Sequence, residues 1–496
     1  MIVREKIIIE KLEDYQNILQ YLLPQYVDDD LIKQLASHIG IQCKKTVVEF
    51  PYYENDYLSS YYIFYAKKLQ SFPKECYRIL FYEDVEECKL MGYITLRPTY
   101  KGRRLGKIFF NPKYLITEKA RMVLGECKCH VGGSEAVLEI FPHMKQEGDV
   151  AVCAHVATWA VLRSFSNRFH RYPELTLGRI VEMISPEAER MIPSRGLTAF
   201  QISQVFRDSG FAPVILFNDT RNPRLIREAL ISYVTSGIPV VAVLTNRNHA
   251  ISVVGLGSHP SWNGVDLRER IDTVTPFESY WDGENEVKTN IVLSSRFYNT
   301  VIVNDDNFFP YSPIHIKRLE QKQSDKDTIP YTIPEIDRLI IPLYSRIQLA
   351  YEDVRTIVLR FISSDPEHWE PGTPFICRIF LTSANTYREY INEECQQLAP
   401  DIRKLLINLE MPKFIWCAEI STPESYQKSE SEVNSLIIID STSATINPEP
   451  FLFLVFPNGE IHFREANDIR KYICHDFCIP KMPRFNRILK EVKTSD

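Results

Sequence analysis

Gln146-Glu-Gly-Asp-Val-Ala-Val-Cys153-Ala-His-Val-Ala-Thr-Trp159-Ala-Val-Leu-Arg163 reads as a loop running into a buried helix with a cysteine near its start. From Val152 to Leu162, apart from the Trp159 indole nitrogen, only Cys153, His155 and Thr158 carry polar side-chain atoms. A helix apolar nearly all round is normally sunk in a core. Taken alone, Cys153 is inert packing and Gln146 a solvated loop residue. Two later stretches change that reading. Asn248-His249-Ala-Ile-Ser-Val-Val-Gly255 puts a histidine at the head of an apolar strand, and Val301-Ile-Val-Asn-Asp305-Asp306 puts carboxylates at the end of another. Cysteine, histidine, then carboxylate is the order of a thiol hydrolase.

The chemistry accounts for each residue type. A thiol attacks as thiolate, which a helix N-terminus and a histidinium partner favour. His249 supplies the base, and a third group must fix its tautomer and orientation. Asp305 is the favoured third group, with Asp306 one residue on and facing the other way if the strand continues. Asn304 and Asn307 lie close in sequence. The acyl adduct needs oxyanion donors, which the Cys153 backbone amide and the upstream Gln146 side chain can supply. Each piece read singly is weak; the ordered set is the signal.

Working outward, 496 residues exceed one compact core and suggest about two to four domains. A net charge of −6 and a pI near 6.1 give no sign of a nucleic-acid or anionic-membrane partner. The N-terminus is acidic and interrupted, unlike a signal peptide, and no run of roughly 18 apolar residues spans a membrane. Eleven scattered cysteines fit reduced thiols in a cytoplasmic protein.

We expect an α+β chain: an accessory region over 1–135, a core over 136–316, a polar linker or exposed loop over 317–334 and a second α+β accessory region over 335–496. Thr198 is placed to cap a helix that Gly210 stops. About 45 residues between the His249 and Val301 strands, with Trp262 and Trp281, form either a lid or a plain surface insertion. The link Arg97-Pro-Thr-Tyr-Lys101-Gly-Arg103-Arg104-Leu-Gly106-Lys107 reads either as an acetyl-CoA loop or, preferably, as a solvated basic turn. Cys127-Lys-Cys129-His130 and Cys474-His475-Asp-Phe-Cys478 have metal-like letters without paired zinc spacing, so no metal and no cofactor is expected.

Gln146 to Cys153 followed by Trp159, then Asn248-His249 running to Gly257, then Val301 to Asp305, resembles a papain-like cysteine peptidase domain over roughly residues 140–315. It is most similar to the bacterial branch that includes the double-glycine leader peptidases, which carry aspartate as third member, and Gly237-Ile-Pro239 matches that family's strand before the histidine. The resemblance implies Cys153 as nucleophile, His249 as base, Asp305 as orienting residue and Gln146 as oxyanion donor. Val152 and Ala154 replace the glycine or serine that often flanks the cysteine, and His155 is unexpected. The implied function is cysteine-dependent amide hydrolysis by a regulated intracellular protease, with a protein or peptide substrate and a regulatory protein partner. Transglutaminase-like acyl transfer and an inactive binding module are the alternatives.

Overall fold

The computed structural model describes residues 2–184, 192, 194, 196–218, 222, 224–257, 277–316, 329–364, 369, 374–427, 432–444, 450–465, 468–474, 477–480, 482 and 489–493. It is α+β, with about 31% helix and 36% strand in several mainly antiparallel sheets. No helix among the described residues is long and apolar enough to cross a membrane.

The first sheet has five antiparallel strands in chain order: Val3–Ile8, Lys45–Tyr52, Cys76–Tyr82, Leu90–Leu96 and Leu105–Phe110. Its central strands are apolar nearly throughout because both faces are covered. Ile79, Phe81, Ile94 and Ile108 face the amphipathic helix Leu31–Ile39, whose Leu31, Leu35 and Ile39 are buried with them. Leu80, Tyr93 and Phe109 alternate to the other face and join the main core, where Phe109 meets Trp159 at 6.4 Å between ring centres. The sheet therefore packs directly against the Cys153 helix.

The second sheet carries the site. Its path runs Ser312–His315, Thr300–Asn304, His249–Gly257, Val240–Leu244, Arg338–Tyr344 and Phe211–Phe217, all antiparallel. Ala120–Val123 pairs with the far end of the His249 strand, and Leu489–Val492 pairs with Ala120–Val123. This sheet thus draws strands from outside residues 136–316. Long-range pairing leaves no local signature, so the expected boundaries do not coincide with the sheet.

The third sheet has seven strands, and Ile291–Leu293 joins its edge in parallel with Phe375–Ser383. Helix Leu225–Thr235 is buried almost all round because it lies between these two sheets. Ser232 Oγ donates to Ile379 O at 2.8 Å, and Ser236 Oγ accepts from Leu381 N at 2.8 Å. The described part of the expected lid is the hairpin Ser279–Asp282/Asn285–Lys288 and then Ile291–Leu293. It runs to the third sheet and not over the His249 strand; Trp262 lies outside the described residues. Thr198 caps its helix reciprocally, accepting from Gln201 N at 3.2 Å while Gln201 Oε1 accepts from Thr198 N at 2.9 Å.

The linker expectation covers 317–334, of which 317–328 lie outside the described residues. The rest is no exposed loop: Ile329, Tyr331 and Ile333 are buried. The alternating apolar side chains of Ile329, Tyr331 and Ile333 press this segment onto the molecule, where a polar composition suggests solvent.

Candidate active site

Cys153 is the first residue of helix Cys153–Arg168, and the N-cap residue, Val152, makes no side-chain hydrogen bond to the N–H groups of its first turn. The opening N–H groups of a helix have no intrahelical partners, so their positive end lies beside the thiol. Cys153 is half-buried, whereas the helix behind it is sunk from Ala154 to Leu162. His155, nearly fully buried, turns Nδ1 toward the Val152 N–H at 3.5 Å, and burial lowers its imidazolium to about 4. It is a neutral residue closing the helix start.

Asn248 brings the histidine to the cysteine. It ends a 3-10 turn, Thr245–Arg247, in the left-handed conformation at φ +48°, which asparagine tolerates better than most residues. Its carbonyl oxygen lies 4.0 Å from Cys153 Sγ. The next residue, His249, starts the strand opposite Leu244.

Asp305 follows the last residue of the neighbouring strand, Thr300–Asn304. Its Oδ2 lies 2.9 Å from His249 Nε2, off the in-line direction, so the contact is charge pairing more than a directed hydrogen bond. Asp306 Oδ1 is 4.0 Å from the same nitrogen, making Asp305 the nearer carboxylate. Asp305 is wholly buried, and the His249 side chain is 12% exposed, so water screens the pair little.

Burial alone would lower the His249 imidazolium. The close contact with Asp305, then the Cys153 thiol and the Asp306 charge, outweigh this and push it up to about 10. Burial would raise the Asp305 carboxyl, but His249 and the donors Tyr331 and Asn307 hold it below the usual range. Asp306 goes the other way: burial and the adjacent Asp305 charge push it up to about 7, and neither of its oxygens has a hydrogen-bond partner. One aspartate is therefore built as the anion and its neighbour as a proton holder.

Gln146 reaches this group from the other side. Its Nε2 donates to Asn307 Oδ1 at 3.1 Å, and Asn307 N donates to Asp305 Oδ1 at 2.9 Å. The structure thus ties Gln146 to the Asp305 turn.

Two participants escaped the sequence reading, Tyr331 and Arg247. Tyr331 donates its hydroxyl to Asp305 Oδ2 at 2.6 Å, and its ring lies 6.3 Å from the His249 ring. Burial and the Asp305 charge push its hydroxyl up, keeping it a donor. Arg247 lies over the same ring at 5.8 Å and pairs with Glu335 at 2.9 Å. Asn307 links Gln146 to Asp305. His143, buried behind the turn, is lowered to about 3, first by burial and then by Lys145.

The other candidates disperse. Cys127 and Cys129 point into the core while His130 faces out on the same strand, so alternation alone separates them. His475 and Asp476 lie outside the described residues. The Arg97–Lys107 link is a hairpin turn followed by a strand, without the helix N-terminus that would cradle a phosphate, and Arg97 within it is buried. All eleven cysteines are free thiols. His249, Asp305 and Asp306 offer ligand atoms within 4.8 Å of one another, but both Asp305 oxygens already accept from Asn307 and Tyr331. We read the cluster as a proton-handling set. A polar hollow of about 600 Å³ lies away from Cys153, and Glu278 and Arg355 on its wall are paired at 2.7 Å.

Comparison of the chain with protein-family models, curated proteins and solved structures found no match.

Proposed function

We propose that the chain is a cysteine-dependent amide hydrolase, most simply a protease with the papain-like arrangement of parts. One observation carries this reading. A half-buried cysteine at the start of a buried helix lies beside a histidine whose far nitrogen is 2.9 Å from a wholly buried aspartate.

The Cys153 thiolate attacks the substrate carbonyl carbon, forming a C–S bond and a tetrahedral oxyanion. The Cys153 N–H and the Gln146 amide are the donors suited to that oxygen. The C–N bond breaks as the His249 imidazolium gives its proton to the departing amine. Water then attacks the thioester, His249 takes its proton, and the acid leaves with the thiol restored. Asp305 orients His249 throughout and stabilises its imidazolium form whenever it carries the proton. Tyr331 shields the pair and shares the negative charge.

A complex mixture of peptides incubated with the protein, and with Cys153→Ala, tests the reading. New chain ends made only by the wild type support hydrolysis. Products joined to an added amine would replace hydrolysis by acyl transfer. No Cys153-dependent change of either kind would leave a binding module.

A further inference from the structure

The basic link Arg97–Lys107 remains unused by the mechanism, and two of its guanidinium groups, those of Arg97 and Arg103, bond to the loop that carries Gln146. Leu105–Phe110 is the last strand of the N-terminal sheet, and its outer edge takes up residues 143–145. Ile108 N donates to His143 O at 3.0 Å, Lys145 N donates to Gly106 O at 3.0 Å, and Lys107 lies opposite Met144. The strand delivers the chain to Gln146, and buried arginine takes over there. Arg97 is 1% exposed, and its Nη2 donates to Leu105 O and Lys145 O at 2.9 Å each and to Gln146 O at 3.5 Å. Arg103 Nη1 donates to Glu147 O at 3.4 Å. The same guanidinium covers Gly148, whose φ of +84° is a left-handed conformation that favours glycine. Tyr65 donates its hydroxyl to Asp149 Oδ2 at 3.3 Å. The Glu147 side chain is fully buried, which leaves its neighbour Gln146 turned outward toward Asn307.

A surface region that only regulates access has no need to hold successive carbonyls of the oxyanion loop with a buried cation. We propose that the N-terminal sheet is part of the catalytic unit, with Arg97 and Arg103 as positioning residues that set the Gln146 main chain so that its amide meets the oxyanion of the Cys153 adduct. This rests on the hydrolase reading above. One Gln146 N–H is held by Asn307, and its second N–H serves the oxyanion. A side-chain donor that drifts by about 1 Å loses most of its effect, because preorganisation is what makes it useful.

Two reactions of the same thiol separate positioning from nucleophile formation. Alkylation by iodoacetamide needs the thiolate but no oxyanion donor. Acylation by p-nitrophenyl acetate forms the C–S bond through an oxyanion and expels p-nitrophenolate. The ratio of the two rates at Cys153, read by intact mass in the full chain, isolates the oxyanion donors. We expect Gln146→Ala to lower the ratio by about a hundredfold, Arg97→Lys to lower it comparably, and the double variant to be no worse than Gln146→Ala alone. Arg103→Ala, an exposed position that keeps the buried core intact, should lower it about tenfold and carries the test if Arg97→Lys does not fold. Folded Arg97→Lys and Arg103→Ala proteins with the wild-type ratio, beside a Gln146→Ala that loses it, would overturn the positioning role and leave the hydrolase reading intact. A wild-type Cys153 that alkylates no faster than exposed Cys88 would overturn the hydrolase reading, and this inference with it.

Discussion

Replacing Asp305 by asparagine removes one charge and keeps the shape, so its effect follows from the electrostatics of the pair. His249 is held charged up to about pH 10 against a burial that opposes charge. The rise from 6.5 to about 10, at ~1.4 kcal/mol per pH unit, corresponds to about 5 kcal/mol favouring the imidazolium, with Asp305 the leading contributor. That stabilisation is fully present below about pH 6.5 and is lost as pH rises through about 10. Without Asp305 the leading contribution that raises it is gone, burial is opposed only by Cys153 and Asp306, and the imidazolium is lost at lower pH. Leaving-group protonation then fails at neutral pH, and kcat falls by about two to four powers of ten, as expected for a triad that loses its orienting carboxylate. The assay is the pH profile of peptidyl p-nitroanilide turnover, whose amine must be protonated to leave, together with NMR titration of the His249 ring. The descending limb should move from near pH 10 in the wild type to distinctly lower pH in Asp305→Asn. A variant that keeps its limb near 10 and its rate within about threefold would refute the role of Asp305.

The neighbouring groups give sharper contrasts. Asp306→Asn should keep activity within about threefold, and a loss matching Asp305→Asn would reverse the two assignments. Because native Asp306 holds its proton up to about pH 7 while an unfolded aspartate releases it near 4, its contribution to stability falls as pH rises through that window. Asp306→Asn should therefore melt higher than the wild type above pH 7, and an unchanged Tm there would count against a protonated Asp306. Tyr331→Phe removes a buried donor to a charged acceptor and should cost about 1.5–3 kcal/mol in urea unfolding and lower kcat about tenfold with KM unchanged. A kcat equal to wild type would make Tyr331 structural only. His143 and His155 stay neutral in the fold down to about 3 and about 4, whereas unfolded histidines charge near 6.5, so stability falls as pH drops below 6.5. In denaturant unfolding between pH 7 and 5, the wild type should lose about 2 kcal/mol more per buried histidine than His143→Gln and His155→Gln variants do, and identical pH profiles for wild type and variants would contradict their buried, neutral state.

Much of the site could be read from the sequence because its parts sit at ends of regular elements. The Cys153 helix announces itself by an unbroken apolar run, and the His249 strand by β-branched residues after an asparagine that the left-handed turn requires. Thr198 and Gln201 spell out a capping box three residues apart. Tyr331 could not be read that way. It lies 26 residues beyond Asp305, in a stretch whose charged start suggested solvent, and only the folded chain lays it on the His249 ring. Arg338–Tyr344 slips between two strands of the core sheet that precede it by about a hundred residues, a pairing with no local pattern. Arg97 was misjudged for a related reason. Charge in a turn normally means solvent, but here three carbonyl oxygens satisfy the buried guanidinium Nη2.

The most direct measurement is intact-mass labelling with iodoacetamide at about pH 6, where ordinary thiols are almost entirely protonated, on the wild type and on His249→Ala. Exposed Cys88 serves as the internal reference thiol. A Cys153–His249 ion pair predicts fast, single labelling at Cys153 that disappears in His249→Ala. Slow labelling spread over Cys88, Cys153 and the other accessible cysteines, unchanged by His249→Ala, would contradict it.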